Sequence, residues 1–211
     1  MADHPIFTES IRRIRALLGE TGLDPVQQQV LERLVHSSGD PGLASLLHFS
    51  PGACERGLEA LRQGALVLTD TAMAAAAVTP MARRTLGTSV RCLLDWAPSQ
   101  SPEGSTRSSA AMQRCWPELI TAAQTAGQPR PLVLVGSAPT ALEQLLDQVD
   151  SGAGMPSLVI GMPVGFVGVP ESKRRLASTS LAQIRLEGTR GGAGLVAAVV
   201  NALLRASQES R

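Results

Sequence analysis

The segment over residues 157–175, SLVIGMPVGFVGVPESKRR, limits what this chain can fold into more than any other. It begins with an apolar run at 158–160 that is rich in β-branched residues and too short for a buried helix, so we predict a buried strand. A glycine-rich loop follows, and Pro170 is typical of the first turn of a new helix. A strand, such a loop and a helix form half of a βαβ unit, and open α/β sheets bind ligands at these loops.

Further strand patterns alternate with helical patterns along the second part of the chain. They lie at 65–69, 90–94, 132–135 and, as a short edge strand, 182–186. This alternation predicts an α/β fold with a mostly parallel sheet and helices on both faces. Residues 1–64 carry four helical patterns before the first predicted strand, so we expect an N-terminal helical layer. The chain length suits a single domain over residues 1–211, with 1–64 helical and 65–211 forming the sheet part.

Three local expectations follow from cap and breaker residues. Asp70 comes directly after a predicted strand and can cap the helix that follows. His48 lies at the end of a predicted helix. Pro117 must kink or divide a helix over residues 108–126.

Composition excludes several classes of function. The formal net charge is +1 and aromatic residues make up 2% of the chain, which argues against a nucleic-acid partner. Cys54, Cys92 and Cys115 are far apart and form no Cys/His cluster, so we predict no metal site and expect reduced thiols in a cytoplasmic protein. The N-terminus lacks a signal-peptide pattern, and the apolar stretch at 194–204 is shorter than the ~20 residues that cross a membrane.

His36 is the candidate acid of the sequence. It lies at the C-terminal end of its predicted helix, where the macrodipole favours the protonated ring. It is therefore either a proton donor near neutral pH or a histidine that bonds the free carbonyls of the helix end.

Arginines and glycine-rich loops supply the other candidate site features. Arg107 either binds a carboxylate bidentately or is an exposed surface charge. The Arg190-Gly191-Gly192 segment is either a backbone anion nest or an ordinary tight turn. The glycines of GMPVGFVG either let backbone amides approach a ligand or permit close helix–sheet packing. One acid, several arginines and glycine loops suit a large anionic organic ligand and proton-assisted chemistry better than hydrolysis.

Several short segments, in order over nearly the whole chain, also match a known family. They are Arg33-Leu34-Val35-His36, Phe49-Ser50-Pro51, Thr106-Arg107-Ser108, Ala138-Pro139-Thr140-Ala141, PVGFVG at 163–168 followed by Glu171-Ser172-Lys173, and Arg190-Gly191-Gly192. On these segments the chain resembles precorrin-8X methylmutase, called cobalt-precorrin-8 methylmutase in the anaerobic branch of cobalamin biosynthesis. PVGFVG followed by ESK is the most specific of them.

The resemblance implies an isomerase that moves a methyl group from C11 to C12 of a tetrapyrrole, precorrin-8X or its cobalt form, to give hydrogenobyrinate or cobyrinate. It implies that His36 is the catalytic histidine, and that the protein is a homodimer with its pocket near the subunit interface. A methyl shift within one molecule needs no cofactor, and protonating the conjugated ring lowers its barrier. The candidate substrate-binding residues are Ser10, Arg15, Thr106, Arg107, Gly161, Pro163, Gly165, Lys173, Arg190, Gly191 and Gly192.

The chain departs from the family pattern in three places. Ser137 stands where the family commonly has Asn, the residues around Met73 are smaller and less polar, and the stretch between Lys173 and Arg190 is short and lacks a tyrosine. An alternative hypothesis is therefore a non-catalytic tetrapyrrole-binding protein of the same fold. A nucleotide-binding α/β domain is a third hypothesis, which depends only on the glycine loops.

Overall fold

A computed structural model describes residues 4–209 of the chain. The helices are α1 (Pro5–Leu18), α2 (Pro25–Ser38), α3 (Ala53–Arg62), α4 (Ala72–Arg84), α5 (Arg107–Thr125), α6 (Pro139–Asp150), α7 (Val169–Ala177) and α8 (Ala193–Glu209). The strands are β1 (Leu47–Phe49), β2 (Val67–Thr69), β3 (Val90–Cys92), β4 (Leu132–Val135), β5 (Leu158–Gly161) and β6 (Gln183–Leu186). Short 3₁₀ helices span Pro41–Leu46 and Leu93–Trp96.

The strands form one sheet in the order β1-β6-β5-β4-β2-β3, in which every pair is parallel except β1 with β6. The central strand β4 is buried on both faces, as parallel strands covered by helices are. Leu132 and Leu134 pack in one core with α3, α4 and α8, whereas Val133 and Val135 pack in another with α5 and α6. The predicted α/β fold with helices on both faces is confirmed.

The prediction that helices alone precede residue 65 is wrong. Strand β1 lies at Leu47–Phe49 and pairs antiparallel with β6, so that His48 lies in a strand and opposite Arg185. For the same reason 182–186 is not an edge strand, because β6 lies between β5 and β1. A three-residue, half-buried strand carries little pattern of its own, and its partner comes much later in the chain.

The predicted cap of α4 is also wrong, and of the two alternatives for Pro117 the division of the helix is wrong. The cap of α4 is Thr71, whose Oγ1 accepts a hydrogen bond from the Ala74 N–H at 3.2 Å, while the Asp70 carboxylate bonds a distant loop. Helix α5 continues through Pro117 as one element. Proline removes one backbone donor, but the burial of Trp116 in the core stabilises the helix around it.

Candidate active site

The sequence around α2 determines where His36 lies. Asp24 and Gln27 form a capping box at the start of the helix. Gly39 ends it in the left-handed conformation, with φ of 70°, and its N–H donates to the Val35 carbonyl. His36 therefore lies in the last turn, and its side chain is exposed.

Ser10 on α1 holds the imidazole of His36. The Ser10 Oγ lies 2.8 Å from the His36 Nδ1, and the ring of Phe7 meets the imidazole edge-on with 5.1 Å between ring centroids. The carbonyls of Leu34 and Val35 instead accept bonds from Ser38 and Gly39. The interpretation in which His36 bonds the carbonyls of the helix end is thus wrong.

The direction of the pKa shift of His36 also differs from the sequence-based expectation. Partial desolvation, together with the positive charge of Arg33, lowers the pKa of His36 below its usual value of 6.5. We expected the helix dipole to favour the protonated ring, and the direction is the opposite. Arg33 lies one turn before His36 on the same helix. Its position in the sequence therefore already indicated that its positive charge would lower the pKa of His36.

A groove of about 440 Å³ lies between α1, α2 and α8, and Phe7 belongs both to its lining and to the surroundings of His36. Arg33 and Arg205 lie against the Phe7 ring, with their guanidinium carbons 5.3 and 5.1 Å from its centroid. The lining comprises Phe7, Thr8, Ile11, Arg12, Arg15, Gln29, Glu32, Arg33, Ala202 and Arg205. The lining combines apolar side chains with several guanidinium groups. A groove of this composition favours an apolar ligand that carries acidic groups.

Arg15 lies in this groove, and a buried carboxylate binds it. Its Nε and one terminal nitrogen donate to the two Glu32 oxygens at 2.6 and 3.0 Å. Glu32 is 3% exposed, whereas the Arg15 side chain is 62% exposed. The carboxylate raises the pKa of Arg15, so this guanidinium stays charged at the wall of the groove.

Arg190 joins the loop after β6 to the segment that follows the end of α2, and Lys173 joins α7 to the same loop. The Arg190 guanidinium pairs with Asp40 at 3.0 Å, four residues after His36. The Lys173 Nζ donates to the carbonyls of Gly188 and Arg190 at 2.9 and 2.6 Å. Lys173 is 2% exposed, and desolvation lowers its pKa to about 8. Lys173 therefore binds loop backbone within the protein.

The candidate glycines have packing roles that the structure identifies. A Cβ at Gly161 would collide with Leu176, and one at Gly191 would collide with the Met162 carbonyl and lie 2.7 Å from that of the buried Pro163. The N–H of Gly165 donates to Thr189, and that of Gly192 to Met162, at 3.1 and 2.9 Å. These two amides are therefore already bonded within the protein.

Thr106 and Arg107 lie at the start of α5, beside the loop after β4. The Thr106 hydroxyl is 2.7 Å from that of Thr140 on α6, and the Arg107 Nε donates to the Pro98 carbonyl at 2.8 Å. Both residues are exposed. They form a second group, which within residues 4–209 makes no hydrogen bond to His36. The candidate residues therefore divide between the α1–α2 surface and the strand-end loops, and Arg190 links the two through Asp40.

Cys54, Cys92 and Cys115 are free, and all three are buried. Burial raises the pKa of Cys54 and of Cys115 to about 12, which leaves both thiols unreactive. Within residues 4–209, no group of three or more His, Cys, Asp or Glu side chains could hold a metal ion. Over the same residues, no helix is both long and apolar enough to cross a membrane.

The fold and this site define an α/β enzyme with one serine-held histidine beside an arginine-lined groove. A family model described as CbiC, precorrin-8X methylmutase, matches residues 5–206. The chain therefore belongs to the precorrin-8X methylmutase family, and it is an isomerase of cobalamin biosynthesis. The resemblance noted in the sequence is confirmed.

Individual relatives agree with this assignment. The chain is 38% identical to a precorrin-8X methylmutase of Pseudomonas aeruginosa over 94% of this chain and 93% of the relative. It is 33% identical to a cobalt-precorrin-8 methylmutase of a Synechocystis species over 96% and 95% of the two chains. A solved structure of a precorrin-8x methyl mutase from Thermus thermophilus superposes with a TM-score of 0.81 at 35% identity, covering 97% of this chain and 96% of the other.

Proposed function

We propose that this enzyme moves a methyl group from C11 to C12 of precorrin-8X, or of its cobalt form, and that His36 is the proton donor. The product would be hydrogenobyrinate or cobyrinate. The observation that carries the proposal is the hydrogen bond between Ser10 Oγ and His36 Nδ1 beside the arginine-lined groove. It holds one ring nitrogen within the protein and leaves the other, Nε2, for a ligand.

The proton chemistry follows from this arrangement. In the protonated ring both nitrogens carry a proton, so that Nδ1–H donates to the Ser10 oxygen and the proton on Nε2 is the one that can be transferred. Transfer of a proton from His36 to the macrocycle polarises its conjugated system, and a positioned acid contributes roughly 10²–10⁴-fold in rate. Because the reaction is an isomerisation, the same nitrogen takes the proton back before the product leaves. A lowered pKa makes the protonated ring of His36 a stronger acid.

The acidic side arms of the tetrapyrrole need cationic partners. Arg15 and Arg190 each keep half or more of their side chain exposed, at 62% and 51%, although each has one carboxylate partner. A guanidinium has further N–H donors, so a substrate carboxylate can bind beside Glu32 or Asp40. Arg107, which is exposed at the start of α5, is the third candidate.

We also propose that the protein is a homodimer with the site near its interface. The loop after β5 carries Phe166 and Val167, which are 86% and 90% exposed. Apolar side chains so exposed on one loop support a contact with a second chain or with the substrate. Light scattering after gel filtration measures the mass, and a monomer at all concentrations would contradict the dimer.

The test of the reaction is conversion of precorrin-8X by the purified protein, followed as a change in the visible spectrum. We expect His36→Ala to bind the product yet to lose most of the activity, while Ser37→Ala, which alters the exposed neighbouring residue, keeps it. Normal turnover by His36→Ala would refute the proton-donor role. Binding of the tetrapyrrole without conversion by the wild type would instead favour the non-catalytic tetrapyrrole-binding protein.

A further inference from the structure

Asp70 is a buried carboxylate that makes an unusual set of bonds at the carboxyl end of β2. It is 2% exposed. Its Oδ2 accepts hydrogen bonds from three consecutive N–H groups, those of Gly136, Ser137 and Ala138, at 3.0, 2.6 and 2.8 Å. These amides follow the end of β4, so one carboxylate joins two neighbouring strand ends.

The three amides form a nest of the kind that binds anions. Asp70 already fills it, and bonds to a charged acceptor are stronger than those between neutral groups. Desolvation raises the pKa of Asp70, while its backbone bonds act to lower it. A substrate carboxylate therefore has no place at these amides and must bind elsewhere, at the exposed arginines.

The loop that Asp70 holds is in contact with several parts of the site. A Cβ on Gly136 would lie 2.8 Å from the backbone of Ala193, so this loop packs directly on the start of α8. The Gly136 carbonyl accepts from the Val164 N–H at 3.2 Å, in the glycine-rich loop after β5. Helix α6 begins immediately after the loop, and its Thr140 bonds Thr106 at the start of α5.

We propose that Asp70 is a positioning residue, which fixes the loop at 136–138 and thereby the Thr140–Thr106 contact beside Arg107. Its effect on catalysis depends on the function proposed above, whereas its effect on the loop does not. The residue acts through backbone amides and touches no reacting atom.

The experiment compares Asp70→Ala and Asp70→Asn with Thr71→Ala, which removes the cap of α4 at the next position and leaves the loop bonds intact. Hydrogen exchange at the amides of residues 136–138 is measured by NMR, together with KM and kcat at a temperature where each variant is folded. We expect Asp70→Ala to speed exchange at these amides about tenfold or more and to raise KM more than it lowers kcat. Asp70→Asn, which keeps one oxygen acceptor, should lie between Asp70→Ala and the wild type.

Unchanged exchange at 136–138 in folded Asp70→Ala, or equal loosening in Thr71→Ala, would overturn the proposal. An Asp70 variant with faster exchange at these amides but an unaltered KM would also overturn the proposal. If Asp70→Ala does not fold, Asp70→Asn decides by the same two measurements. If the wild type fails to convert precorrin-8X, the proposed function is refuted. Hydrogen exchange at residues 136–138 then still tests the role of Asp70, with the dissociation constant for the tetrapyrrole measured in place of KM.

Discussion

The Ser10 Oγ lies 2.8 Å from the Nδ1 of His36, although the two residues are 26 positions apart and belong to different helices. The bond fixes the orientation of a ring that is otherwise exposed at a helix end. It also makes α1 part of the site, since Phe7 on the same helix contacts the imidazole edge-on. The proton transfer proposed for His36 should therefore depend on a residue of α1.

Ser10→Ala should lower kcat about tenfold, because the hydrogen bond that orients the ring is lost. Ser10→Thr keeps a hydroxyl at the same position and should retain more activity than Ser10→Ala. Steady-state kinetics with precorrin-8X measures both variants, with Ser37→Ala as the control on the neighbouring exposed serine. A wild-type kcat for Ser10→Ala would show that the bond does not serve the reaction.

Arg33→Gln should raise the pKa of His36. The positive charge of Arg33 is one of the two causes that lower it, and its removal makes protonation of the ring easier. NMR titration of the imidazole C2–H measures the shift, with His4 and His48 as internal references and Arg13→Gln as the control, since Arg13 pairs with Glu9 instead. An unchanged or lower pKa would contradict the prediction.

Arg33→Gln also tests whether the protonated or the neutral form of His36 is active. An activity that needs the protonated ring falls as pH rises through the pKa of His36, which lies below 6.5 in the wild type. In Arg33→Gln that fall should move to higher pH, in step with the titration. A pH profile that does not move while the pKa does would remove the protonated imidazole from the rate-determining chemistry.

The sequence was sufficient for the central strands and for the edge strand β3, but not for the edge strand β1. Leu132–Val135 and Leu158–Gly161 are apolar along their whole length because helices cover both faces, and such runs are visible without a structure. Leu47–Phe49 is half-buried and becomes a strand only by pairing with Ile184–Leu186 far along the chain. Tertiary pairing of that kind has no local signal.

The site shows the same division between local and distant causes. The position of His36 at its helix end depends on a capping box and a terminal glycine, which are local features of the sequence. The hydrogen bonds of Asp70 could not be predicted, because an aspartate before a helix has the pattern of a cap and its three amide partners lie 66 to 68 residues away. The bonds that occupy the loop amides likewise depend on how separate loops pack together.

Lys173 is the only lysine in the sequence, and there is no tyrosine, so its ionisation can be isolated at alkaline pH. Its pKa in the folded protein is about 8, below the ordinary value of 10.5. Between these values the unfolded chain binds more protons than the folded one, so Lys173 makes the free energy of unfolding rise with pH. This contribution is fully present above the unfolded value and lost as pH falls through about 8.

Urea unfolding of the wild type and of Lys173→Met, from about pH 7.5 to about pH 10, measures this contribution. The cysteines titrate in the same range when the chain is unfolded, and the difference between the two proteins cancels their effect. We expect the wild type to gain stability relative to Lys173→Met as pH rises. Parallel curves would mean that the ammonium group is not desolvated in the folded protein.

Gly191→Ala should destabilise the loop before α8, because its Cβ would collide with the backbone carbonyl of Met162, which cannot rotate away as a side chain does. The collision also displaces Gly192, whose N–H donates to the same carbonyl at 2.9 Å. We expect a loss of about 1–3 kcal/mol in the free energy of unfolding, together with a raised KM. Urea unfolding and steady-state kinetics measure the two effects.

Gly194→Ala is the matched control for that variant, since no atom outside its own helix lies within 4 Å of the added carbon. It lies three residues further on, in the first turn of α8, where alanine is a better helix former than glycine. Its stability should equal or exceed that of the wild type by less than about 1 kcal/mol. Equal losses in the two variants would indicate that backbone freedom, rather than the close approach to Met162, requires glycine at 191.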